Sequence, residues 1–85
     1  MIQARKYVCP CCGYYTLEEY RSYEICEICY WEDDPVQAED HHSYGANNIS
    51  LTKAQENYRL FGASDHEFID CVHPATKLDK TSSFR

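Results

Sequence analysis

Six of the 85 residues are Cys, and four of them form two pairs of identical spacing. Cys9 and Cys12 are separated by two residues, as are Cys26 and Cys29, and thirteen residues lie between the pairs. Two C-x-x-C pairs at this distance are a standard metal-binding signature. The reason is geometric. Two intervening residues let a tight turn aim both sulfurs at one ion, while backbone N–H groups of the turn ease the negative charge. Pro10 presets φ at the second position, and Gly13, directly after Cys12, can adopt φ > 0 and close the turn. The second pair has neither Pro nor Gly, so a less regular turn is expected there. Cys9, Cys12, Cys26 and Cys29 are therefore the expected ligands of one Zn²⁺. Cys11, adjacent to Cys12, is expected to point away. Cys71, 42 residues beyond Cys29, is expected to be a small buried apolar side chain.

The same cysteines could instead make a disulfide framework in a secreted protein. The first 15 residues show no apolar h-region, so a cytoplasmic location with reduced thiols is expected. A staple of some kind is needed in any case. Leu, Ile, Val and Phe make up only 15 of 85 residues, too few for a self-sufficient core. Twelve aromatics, among them Tyr14, Tyr15, Tyr23, Tyr30 and Trp31 around the two pairs, can shield an ion and replace missing aliphatics.

These ligands must be carried on short hairpins. Lys6–Val8 leads into the first knuckle and Gly13–Thr16 leads out. Tyr23–Ile25 leads into the second and Tyr30-Trp31 leaves it, giving a zinc-ribbon layout over about residues 6–31. Residues 32–48 are polar and read as a loop with a short turn. Leu51–Phe61 is the clearest helix: Ser50 caps it, Leu51, Ala54, Tyr58 and Phe61 share one face, and Gly62 suits a left-handed end. A shorter helix is expected at Asp65–Val72, with Ser64 and Glu67 as a capping box, Phe68, Ile69 and Val72 buried, and Pro74 closing it. Residues 75–85 read as a loose tail. The expected fold class is a small metal-stabilised α+β domain spanning residues 1–74, with zinc-ribbon-like β-hairpins and two C-terminal helices.

The formal charge is −6, and it is uneven. Residues 17–40 hold nine acids (Glu18, Glu19, Glu24, Glu27, Glu32, Asp33, Asp34, Glu39 and Asp40) against the single base Arg21. Such a surface repels phosphate, which argues against nucleic acid as a partner. It suits a basic protein, with salt-sensitive association. No apolar run is long enough to span a bilayer. His41-His42, next to Glu39-Asp40, are adjacent residues whose side chains diverge in an extended loop, so no second metal site is expected. His66 and His73 are isolated. A Cys nucleophile needs a paired base, which no spacing here supplies. Four Cys also close a metal shell, whereas catalytic zinc keeps a position open. Asn48-Ile49-Ser50 matches a glycosylation acceptor but is more simply the helix start.

Longer stretches carry a resemblance. Cys9–Leu17 reads CPCCGYYTL, Tyr23–Asp34 reads YEICEICYWEDD, Tyr44–Leu51 reads YGANNISL, and Ala54–Ala63 reads AQENYRLFGA. Together these resemble the bacterial cysteine-rich CPCC family. Glu27 stands where such sequences often carry Pro, and Tyr44 where a second Gly is common. Both departures concern turns and leave the four Cys in place. The resemblance implies a small metal-binding protein and brings no biochemical activity with it. The first knuckle, from Tyr7 to Tyr14, also resembles that of a rubredoxin. That implies an alternative, an iron Cys₄ electron carrier. A thiol-redox role for Cys11 or Cys71 is a third reading.

Overall fold

The computed structural model describes residues 7–72, and there the chain first reverses at Gly13, whose φ is +84°. This reversal pairs two short antiparallel strands, β1 (Tyr7–Val8) and β2 (Tyr15–Leu17). Tyr7 faces Leu17 and Val8 faces Tyr15, so the register slips by one residue across Thr16. A slip of this kind re-aims the extra side chain. Thr16 is buried, as is Leu17.

The second hairpin lies at residues 23–33 and is held by isolated bonds rather than a full ladder. Tyr23 N–H donates to Asp33 O at 3.1 Å and Asp33 N–H donates to Glu24 O at 3.0 Å. Ile25 and Glu32 bridge between them. Lys6, Pro74 and the expected tail at 75–85 lie outside the described residues.

Within the polar segment 32–48, read as a loop, the structure forms a helix, α1 (Pro35–Glu39). Its start has the right residues. The Asp34 carboxylate accepts from Val36 N–H at 2.8 Å, and Pro35 occupies the first turn, where a missing N–H costs nothing. No apolar stripe announces this helix because its buried residue is Gln37. Gln37 Nε2 donates to Ser43 O and Ile49 O, and Gln37 Oε1 accepts from the backbone and the side chain of Asn47. Asn47 in turn brackets the peptide of Glu32 with both ends of its amide. This buried network is fully paired, as burial of polar groups requires.

Helix α2 spans Leu51–Phe61, the expected bounds. Ser50 Oγ accepts from Lys53 N–H at 3.2 Å, and Gly62 ends the helix at φ +83°. Leu51 and Ala54 are fully buried, and Tyr58 packs on the core beside them. The helix also reaches both knuckles. Gln55 Nε2 donates to Pro10 O at 2.8 Å. Asn57 Nδ2 holds Ser64 O at 2.9 Å, while Ser64 N–H donates to Cys29 O at 2.8 Å.

Beyond Gly62 the expectation needs correcting. The segment Asp65–Val72 is not an α-helix but a single 3₁₀ turn at His66–Phe68, followed by further i→i+3 bonds from Ile69 and Cys71 N–H. Asp65 caps it, and Ser64, expected to be the cap, is buried against the second knuckle. Asp, His, Ile, Cys and Val are weak helix formers, and eight residues are too few to offset nucleation. Ile69 is 40% exposed rather than buried. The fold class stands as a small α+β unit with two helices, the second of them being α2 and the first α1.

Two carboxylates of the acidic stretch are internal. Asp33 is buried, accepting from Arg21 N–H at 2.7 Å and from its guanidinium at 3.0 Å. Burial pushes this carboxyl up even so. Asp34 behaves oppositely. The N–H of Ala46 and that of Val36 hold it below the ordinary carboxylate range. A depressed value stabilises the fold above the ordinary carboxylate pKa, and this contribution fades as pH falls through the lower, folded one. Gly45 lies against the same carboxylate. A Cβ there would sit 2.5 Å from Asp34 Oδ2 and 3.2 Å from Gln37 Cγ. Since two N–H groups pin Asp34, it cannot swing aside. Gly45→Ala is expected to destabilise the fold by about 1–3 kcal/mol, read as a lowered unfolding midpoint in urea. An unchanged midpoint would contradict this packing.

Candidate metal centre

The two C-x-x-C turns are built alike. Gly13 N–H donates to Cys9 O at 2.9 Å and Cys9 N–H donates to Tyr14 O at 2.9 Å. At the equivalent positions, Tyr30 N–H donates to Cys26 O at 2.7 Å and Cys26 N–H to Trp31 O at 2.9 Å. Gly13 takes φ +84°, and Tyr30 takes φ +71° in its place. The expectation of a less regular second turn is therefore corrected. The same turn forms, with a Tyr held in a conformation that a glycine would adopt freely. The Tyr30 ring packs on Phe68 with centroids 5.0 Å apart, which helps fix it there.

The two turns face each other and bring Cys9, Cys12, Cys26 and Cys29 together. Their four sulfurs all lie within 4.8 Å of one another, and all four residues are buried. Cys9 Sγ is 3.6 Å from Cys29 Sγ, and Cys12 Sγ is 3.7 Å from Cys26 Sγ. All four are free thiols. A disulfide needs sulfurs at about 2.0 Å. A tetrahedral ion with metal–sulfur bonds of about 2.3 Å has sulfur–sulfur edges of about 3.8 Å. The observed separations match the second geometry. This donor set fits a metal ion that prefers four thiolates.

The local electrostatics point the same way. Burial pushes the thiols of Cys9 and Cys29 up, and hydrogen bonding to Cys26 pushes Cys12 up. Cys26 is pulled down instead, by hydrogen bonds from Cys12 first, then from Cys29 and Cys9 and the Thr16 hydroxyl. Four thiolates in one buried space would repel one another and lose their hydration. Holding four requires a cation at their centre. Trp31 covers the cluster as a fully buried neighbour, and its indole N–H makes no hydrogen bond. Tyr58 packs against it from α2, and burial, followed by the charge on Cys12, raises its phenol.

Other candidates separate from this centre. Cys11, expected to point away, is instead buried in the same core, where its side chain hydrogen-bonds Cys29 without its sulfur being one of the clustered four. Cys71, expected to be buried, is exposed. His41 and His42 are exposed, and no second group of metal-ligating side chains assembles among the described residues. His73 lies outside them. Of the crowded aromatics, Trp31 is in the core, Tyr14, Tyr15 and Tyr30 are half-buried, and Tyr23 is exposed.

One contributor escaped the sequence reading. Thr16 Oγ1 donates to Cys26 Sγ at 3.0 Å. No spacing rule marks it, since the slipped register of β2 is what turns it toward the sulfur. Outer hydrogen bonds of this kind orient ligands and tune their charge. Thr16→Val, which keeps the shape and removes the donor, is expected to weaken metal retention by about 10- to 100-fold in competition with a chromogenic chelator, while leaving the metal-loaded fold intact. Unchanged retention would show that the hydroxyl merely fills space.

Comparison with known proteins agrees with this architecture. No curated protein matches the chain. The model of the cysteine-rich CPCC family matches residues 7–79, a span that includes both knuckles, α1, α2 and the 3₁₀ turn. The four clustered cysteines are thus part of a family pattern covering most of the sequence, and the chain belongs to the cysteine-rich CPCC family.

Proposed function

We propose that the protein is a non-catalytic, cytoplasmic module in which Cys9, Cys12, Cys26 and Cys29 hold one Zn²⁺, and that it serves to meet a basic protein partner. The observation that carries the metal reading is the sulfur cluster itself, with edges of 3.6 and 3.7 Å between four buried thiols. A shell completed by four thiolates offers a substrate no open position, which supports a structural role rather than a catalytic one. Among the described residues no helix is long and apolar enough to cross a membrane.

The partner reading rests on charge. Asp33 and Asp34 are buried and bonded internally, so they drop out of the acidic surface. Glu24 is also partly engaged, accepting from the N–H groups of Glu18 and Glu19. Exposed carboxylates remain at Glu18, Glu19, Glu27, Glu39 and Asp40, the last also accepting from His42 N–H at 3.2 Å. These carboxylates favour a cationic partner and disfavour nucleic acid.

One observation keeps an iron-bearing electron carrier as a second reading. The lack of Gly after Cys29 weighs against a rubredoxin-like pair of knuckles, yet Tyr30 adopts the left-handed turn regardless. Protein purified without added metal is expected to carry one zinc per chain and to be colourless, whereas a red, iron-loaded protein would establish the alternative. Cys26→Ser is expected to lose the ion and unfold. A C26S chain that keeps its native spectrum without metal would contradict a structural site. The metal-loaded chain is expected to retain basic proteins at low salt and release them at high salt. Retention indifferent to salt would contradict the acidic surface.

A further inference from the structure

A cleft of about 190 Å³ opens between the second knuckle, the segment before α2 and the 3₁₀ turn. Apolar side chains line it together with Asn47, Asn48 and Ser64. Ile25 is 47% exposed there, and Ile49, Tyr30 and Phe68 are half-buried around it. Its rim is acidic: Glu32, Asp65 and Glu67 border it, and the described lining includes no Lys, Arg or His. Among the described residues, neither Glu32 nor Glu67 forms an ion pair. The ion pairs among the described residues are Arg21–Asp33 and Lys53–Glu56.

The combination selects an occupant. The cleft is smaller than the about 300 Å³ at which small-molecule pockets begin, so it suits one long side chain. Apolar lining with three carboxylates at the edge matches a side chain that is aliphatic along its stem and cationic at its tip. Between Lys and Arg, the rings favour Arg. Tyr30 and Phe68, packed on each other with centroids 5.0 Å apart, both line the cleft, and a planar guanidinium stacks on aromatic rings while donating to carboxylates in its own plane. We propose that this cleft is the docking site for an arginine side chain of a partner protein, with the arginine stem over Ile25 and Ile49 and the guanidinium between Glu32, Asp65 and Glu67. The proposal rests on the reading of a basic partner and narrows it to one place and one residue type.

The test uses the full, metal-loaded chain and three amidated pentapeptides, with a central Arg, Lys or norleucine flanked by Leu and Gly. Titration followed by ¹⁵N NMR is expected to move the resonances of Ile25, Tyr30, Ile49 and Phe68 with the Arg peptide. The Lys peptide is expected to bind several-fold more weakly, and norleucine to produce no saturable shift. The double variant Glu32→Gln, Glu67→Gln keeps the shape of the rim and is expected to weaken the Arg peptide by roughly fivefold or more. The control Glu56→Gln, on the exposed face of α2 and outside the cleft lining, should leave binding unchanged. Equal loss in both variants would overturn the cleft while leaving a diffuse acidic surface standing. Shifts at these four residues that follow chain concentration without peptide would identify a second copy as the occupant and overturn the proposal. If basic proteins are still retained in a salt-dependent way while the Arg peptide moves none of these resonances, the cleft fails and the broader reading survives.

Discussion

Four cysteine sulfurs confined within 4.8 Å of one another in a buried space set the terms for the rest of this chain. As thiols they act only as small buried hydrophobes. As thiolates they repel, and burial makes each charge expensive. Joined by a cation they become a cross-link that offsets the scarcity of aliphatic residues. The binding free energy of such an ion is also folding free energy, because the site does not exist in the unfolded chain. The surrounding layers make sense in that light. Trp31, Leu17, Ile28 and Leu51 form a thin sheath around the sulfurs, and the cysteines themselves are a large share of the core.

The cross-link alone would leave two turns hinged about one point. Polar contacts remove that freedom. Helix α2 touches the first turn through Gln55 and Pro10, and reaches the second through Asn57, Ser64 and Cys29. The segment between the second hairpin and α2 is fixed from the other side by Gln37 and Asn47. Such amides are an efficient choice for a small domain. Each one ties several backbone groups together, whereas an aliphatic residue would need a larger core to bury itself in.

Those polar ties also explain what could and could not be read in the sequence. The four cysteines were legible because ligand spacing is a local property of two tight turns. Helix α2 was legible to the residue because its cap, its apolar face and its terminal glycine agree. Helix α1 was not, although Asp34-Pro35 is a helix-start signal. Only five residues follow, and the residue they bury is Gln37, so the pattern of apolar residues is silent. Asp33 and Asp34 read as part of an acidic surface because nothing in their composition distinguishes a carboxylate bonded to N–H groups from a solvated one. Thr16 and Cys71 were misplaced or missed for a related reason. Their surroundings depend on a one-residue slip in β2 and on a helix that stops after one turn.

Tyr30 makes the hierarchy of forces visible. Among the described residues three non-glycine residues adopt positive φ, namely Arg21, Tyr23 and Tyr30, and all of them lie in the second hairpin and its approach. Each such residue costs of the order of 1 kcal/mol or more and persists only when its surroundings overdetermine it. At Arg21 the backbone N–H and the guanidinium both hold Asp33. At Tyr30 the turn must close for Cys26 and Cys29 to point the same way, and the bond from Tyr30 N–H to Cys26 O is the shortest of the four that define the knuckles, at 2.7 Å. The first knuckle obtains this geometry from glycine at little cost. The second obtains it by force, and what it gains is a side chain: the Tyr30 ring that leans on Phe68 and lines the acidic cleft. A glycine there would relieve the backbone and remove the surface. Local strain at position 30 is therefore coupled in one residue to both the metal centre and the exposed face beside it.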